Sequence, residues 1–97
     1  MNLRKLMKQA QEMQDKLQGE LAELVVESSV GGGMVTLKMN GHKELLSVVV
    51  DPEVVDPEDV GVLQDLIVAA VNDASRRVDE TMREKMGSMT TGLPQLF

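Results

Sequence analysis

Apolar residues recur at steps of three and four through MNLRKLMKQAQEMQDKLQGELAEL, at Leu3, Leu6, Ala10, Met13, Leu17, Leu21 and Leu24. That spacing predicts one helix over residues 1–24 with an apolar seam along its length. At 1.5 Å per residue the helix is about 33 Å long. A seam of that length is more than a small sheet can cover. It therefore constrains the fold: the helix must either project from the body or lie against another chain.

The remainder of the chain reads as a compact alternation of strand and turn, then a second helix. LVVESSV (24–30) is a strand, Gly31-Gly32-Gly33 a turn that needs positive φ, and MVTLKMN (34–40) a second strand. In that second strand Val35, Leu37 and Met39 face one way and Met34, Thr36 and Lys38 the other. Asn40-Gly41 predicts a tight hairpin turn into a third strand over residues 42–51, rich in β-branched Val48, Val49 and Val50. Asp51-Pro52 ends that strand. Asp56 as N-cap and Pro57 in the first turn predict a helix from residue 56 to 86, stopped by Gly87. Its stripe is Val60, Leu63, Leu66, Ile67, Ala70, Val71, Ala74, Val78 and Met82. Residues 87–97 show no periodicity and read as a mobile tail. The expected fold class is α+β in a single domain over residues 1–97: a long N-terminal helix, a three-stranded antiparallel meander and a long C-terminal helix. The second helix is the one expected to cover the sheet.

The 97 residues carry a net charge of −6, spread unevenly. Residues 1–24 are neutral, residues 25–51 carry −1 and residues 52–97 carry −5. The first two turns of the first helix hold Arg4, Lys5 and Lys8 without an acid, and Lys16 follows. This asymmetry suits a polyanion at the arm, but the charge pattern alone better suits an ordinary solvated face in which Glu12, Asp15, Glu20 and Glu23 pair within the helix. No continuous apolar run resembles a signal peptide or approaches the roughly 18 residues of a membrane helix, so the expectation is a soluble cytoplasmic protein with no membrane partner.

No catalytic constellation assembles. Cysteine is absent, which removes thiolate chemistry and disulfides. His42, the single histidine, follows the Asn-Gly turn and reads as a solvated turn residue. Asp51, Glu53, Asp56, Glu58 and Asp59 are densely placed but lack the glycine of a calcium loop, and they suit helix capping. Gly31–Gly33 precede a strand rather than the helix of a phosphate loop. The expectation is a non-enzyme without metal or cofactor. Phe97 is the sole aromatic, so base stacking is excluded as a binding mode. Eight methionines supply adaptable bulk and leave open an adaptor whose acidic, Met-rich body binds another protein.

Taken together and in order, MKQAQEMQDKLQGEL, the triple-glycine turn, MNGHKEL, VVVDPEVV through DPEDV, LQDLIVAAVNDASRRVDE and TTGLP resemble the YbaB/EbfC family of bacterial nucleoid-associated proteins. The resemblance spans nearly the whole chain. It implies a homodimer with projecting helical arms that binds double-stranded DNA in the nucleoid, and influences nucleoid organisation and gene expression. Carried onto this sequence, the family's basic arm falls on Arg4, Lys5, Lys8 and Lys16, with Arg76, Arg77, Arg83 and Lys85 as secondary candidates. It also implies recombination or replication proteins as partners.

Overall fold

The computed structural model describes residues 2–90. The element order is α1 (Leu3–Glu23), β1 (Val25–Val30), β2 (Val35–Asn40), β3 (Leu45–Val50), a short 3-10 turn (Pro52–Val54) and α2 (Val60–Thr90). The three strands form one antiparallel sheet in the order β1-β2-β3. This is the expected α+β arrangement of two long helices around a small meander.

The alternation in β2 organises the core. Val35, Leu37 and Met39 are buried on one face, and Val26, Ser28 and Val30 stand beside them in register on β1. Against that face α2 lays Ala70, Ala74 and Val78, all buried, with Leu63, Leu66, Val71 and Met82 around them. The two alanines have no side chain beyond Cβ, so the helix axis can approach the sheet closely. The helix crosses β1 and β2 and leaves β3 beyond its edge. Every residue of β3 except Val50 is exposed, including Leu45, Leu46, Val48 and Val49.

With the apolar sheet face taken by α2, nothing remains for α1. It contains no buried residue, and its seat on the body is its C-terminal end against β2 and the loop that follows β2. Asn2 begins it: the side-chain oxygen accepts from the backbone N–H groups of Arg4 and Lys5, which have no helical partner of their own. The molecule is consequently long and thin, 68 × 28 × 15 Å. Its radius of gyration is 19.1 Å, against about 13 Å for a compact chain of this length.

Three boundaries differ from the sequence expectation. The helix expected from Asp56 begins at Val60, because Asp56 uses its carboxylate on the Glu58 N–H and its carbonyl on the Asp59 N–H in a separate turn. The same helix continues through Gly87 to Thr90 rather than stopping at residue 86. A glycine in a helix interior costs only about 1 kcal/mol, and it ends a helix where the next backbone adopts a capping turn. Residues 87–90 of the expected tail are thus helical, and residues 91–97 lie outside the described residues.

The third difference is the β2–β3 connection. Gly31, Gly32 and Gly33 take positive φ as expected, but Gly41 does not; Lys43, at φ 63°, carries the left-handed turn. The connection is longer than a two-residue hairpin, β3 starts at Leu45, and the ladder slips between Lys38 and Met39. Asn40 builds it: its side-chain oxygen accepts from His42 N–H and Glu44 N–H, and its amide donates to Glu44 Oε1.

Leu37 is wholly buried at the centre of the contact. Leu37→Ala is expected to lower unfolding free energy by about 2–5 kcal/mol, read from urea or thermal denaturation. An unchanged midpoint would contradict the described core.

Candidate nucleic-acid interface

The basic residues of α1 occupy the side opposite its seam. At about 100° per residue, Arg4, Lys5, Lys8 and Lys16 fall within one arc, and Leu3, Leu6, Ala10, Met13 and Leu17 within the opposite one. All are exposed, Leu3 at 70% and Met13 at 73%. The intrahelical pairing that Glu12, Asp15, Glu20 and Glu23 could offer is not realised. Among the described residues the ion pairs are Lys43–Asp79, Arg76–Asp73 and Arg77–Asp73, so Arg4, Lys5, Lys8 and Lys16 are free to meet an external anion.

The direction of the arm follows from which loops touch which helices. Gly41 and His42, at the β2–β3 end of the sheet, contact Leu21 and Gln18 of α1. Lys43 of the same loop pairs with Asp79 of α2 at 3.0 Å. At the other end, Asp51 N–H donates to the Met34 carbonyl, and a side chain at Gly31 would meet Leu66. The root of α1 and the C-terminal half of α2 therefore share one end of the sheet. Asp51, Glu53, Asp56, Glu58 and Asp59 gather toward the opposite end. A six-residue strand spans about 20 Å, and the arm adds to that. Screening at 0.1 M salt acts over about 10 Å. The acidic cluster is held where it does not oppose an anion at Arg4–Lys8.

The secondary candidates on α2 are less free. Arg77 Nε donates to Asp73 Oδ2 at 2.8 Å, and Arg76 lies 3.7 Å from the other Asp73 oxygen. Asp73 also accepts from the buried Ser28 hydroxyl at 2.8 Å. The Arg77 hydrogen bond first, then that of Ser28, hold the Asp73 carboxyl below the usual carboxylate range, and the same bond raises Arg77. Both pairs lie within α2, and Asp73 in turn ties α2 to β1 through Ser28. Arg83 and Lys85 are exposed on the part of α2 beyond Met82, which packs at the edge of the core.

His42 is exposed in its turn, as the sequence suggests, and its Nε2 also lies 3.2 Å from the Gln18 carbonyl, a contact that sequence order alone does not show. Ser28, a buried polar residue at an inward strand position, needs a hydrogen-bond partner, and that partner is the half-buried Asp73, which the sequence reading missed. Among the described residues no group of three or more His, Cys, Asp or Glu side chains is placed to hold a metal ion. Nor is any helix long and apolar enough to cross a membrane.

Fold and site define a small α+β protein that carries an exposed, unpaired basic helix tip away from an acidic body. Residues 1–93 match the model of the YbaB/EbfC DNA-binding family, and the chain belongs to that family. It is 52% identical over 100 residues, covering all of both chains, to a nucleoid-associated protein of Chloroflexus aurantiacus. It is 56% identical over 78 residues, covering 78% of this chain and 73% of the other, to the nucleoid-associated protein YaaK of Bacillus subtilis. The fold is similar to that of the uncharacterized protein HP0035 of Helicobacter pylori, with a TM-score of 0.72 at 25% identity over 92% of this chain and 97% of that one.

Asp73 supplies a pH prediction. Its folded pKa is depressed, so its contribution to stability is present above the unfolded value of about 3.9 and is lost as pH falls through the lower folded value. The difference in urea midpoint between the wild type and Asp73→Asn is expected to be constant from about pH 7 to pH 5 and to shrink below about pH 4. A gap that widens on acidification would contradict the Asp73–Arg77–Ser28 assignment.

Proposed function

We propose that this chain is a nucleoid-associated protein that binds double-stranded DNA as a homodimer, mainly through phosphate contacts from Arg4, Lys5, Lys8 and Lys16. The observation that carries the reading is the projecting tip of α1, whose cations have no internal ion-pair partner. Lysine and arginine displace condensed counterions from DNA, which gives affinity independent of sequence. With Phe97 as its sole aromatic side chain, the chain is better matched to duplex phosphates than to stacking on single-stranded bases. Bound in this way along the chromosome, such a protein would influence nucleoid organisation and gene expression.

The second copy answers the exposed apolar surface. The seam of α1 and the side chains of β3, with Val49 65% exposed, form more bare hydrophobic area than an isolated chain normally keeps in water. A dimer covering these surfaces doubles the number of arms. If each arm neutralises two phosphates, the slope of log affinity against log salt is about −3.6.

Gel-shift titrations across a salt series test the arm. Neutralising Arg4, Lys5 and Lys8 to Gln is expected to weaken duplex binding and flatten the slope. Unchanged affinity and slope would overturn the assignment. Light scattering at micromolar concentration is expected to give twice the mass of one chain, and a monomer would contradict the homodimer. Recombination or replication proteins as partners are tested by affinity capture after nuclease treatment. Partners that persist without DNA would instead support an adaptor role for the acidic body.

A further inference from the structure

The root of the arm contains a joint and a brace. Gly19 lies within α1, and a Cβ built on it would meet nothing within 4 Å, so no close neighbour requires glycine there. Its effect is to weaken the helix by about 1 kcal/mol relative to alanine. The two contacts from the β2–β3 loop fall on either side of it. Before Gly19, the Gln18 carbonyl faces His42 Nε2 at 3.2 Å. A carbonyl only accepts, so the imidazole presents its Nε2–H. After Gly19, the Leu21 carbonyl accepts from Gly41 N–H at 2.8 Å. Leu21 belongs to the last turn of α1, whose carbonyls lack partners within the helix.

The brace is itself fixed. Asn40, buried, holds His42 and Glu44 through its side-chain oxygen, and Lys43 ties the loop to Asp79 of α2. The fit at Gly41 is tight: a Cβ there would stand 2.5 Å from Leu21 O and 3.0 Å from Leu21 Cα. Both are backbone atoms, so a larger residue can be accommodated only if α1 moves. We infer that Gly41 and His42 are positioning residues that splint α1 across Gly19 and so set the direction in which the basic tip points. The inference gives a role to the single histidine, and it rests on the reading of α1 as the DNA-binding arm.

The geometry can be measured without DNA. The chain has no cysteine, so Gln9→Cys on the arm and Glu80→Cys on α2 accept spin labels cleanly. Labelled protein diluted into an excess of unlabelled protein reports distances within one chain by double electron–electron resonance. The expected wild-type result is one narrow distance population. His42→Ala should broaden it, His42→Gln, which keeps a donor, should restore it, and Gly41→Ala should displace or broaden it. Adding Gly19→Ala to His42→Ala should narrow the distribution again, because stiffening the joint replaces the splint. Thermal melting by circular dichroism checks that the body remains folded, and His42→Ala carries the test if Gly41→Ala does not fold. Identical distributions in wild type and His42→Ala, or no recovery with Gly19→Ala, would overturn the inference. Broadening with unchanged duplex affinity and salt slope would leave the splint standing and remove α1 from the DNA-binding role.

Discussion

Ala70 and Ala74 of α2 sit on Leu37 and its neighbours, and this contact takes up the single apolar face of a three-stranded sheet. A sheet of this size has room for one helix. Once α2 is in place, α1 has no surface to cover its seam, and β3 lies beyond the edge of the covering helix. The projecting arm and the bare third strand are therefore two consequences of one packing choice. The Asp73–Arg77–Ser28 cluster and the Lys43–Asp79 pair fasten the same helix to β1 and to the β2–β3 loop.

The electrostatic arrangement follows from the same topology. The acids near the start of α2 and the cations near the start of α1 belong to opposite ends of the molecule, because α1 enters the sheet where the second half of α2 passes. A net charge of −6 is then no obstacle to a polyanion at the arm. Over several screening lengths what counts is the local field at Arg4, Lys5 and Lys8, not the sum over the chain.

Most of the fold was legible in the sequence, since each element is marked by its own period. Alternation in residues 34–40 named Val35, Leu37 and Met39 as inward, and the stripe of α2 contained every alanine and valine that packs in the core. What was not legible depends on elements meeting in space. Asn40-Gly41 has the signature of a tight hairpin, yet the glycine serves close approach to Leu21, a residue 20 positions earlier. His42 is exposed as its turn position suggests, but its contact with the Gln18 carbonyl exists only because α1 lies beside it. Gly87 reads as a stop, but a glycine ends a helix only with a capping turn after it. At the candidate site the type and order of the basic residues were legible. Their freedom from ion pairs, and the loss of Arg76 and Arg77 to Asp73, required the folded chain.

The most direct test of the central claim is to follow backbone amide signals by nuclear magnetic resonance while a short duplex of arbitrary sequence is added. The account predicts that the largest shifts fall on Asn2–Gln9, with residues 51–65 undisturbed. Shifts confined to the sheet or to the first half of α2, with residues 2–9 unmoved, would contradict it.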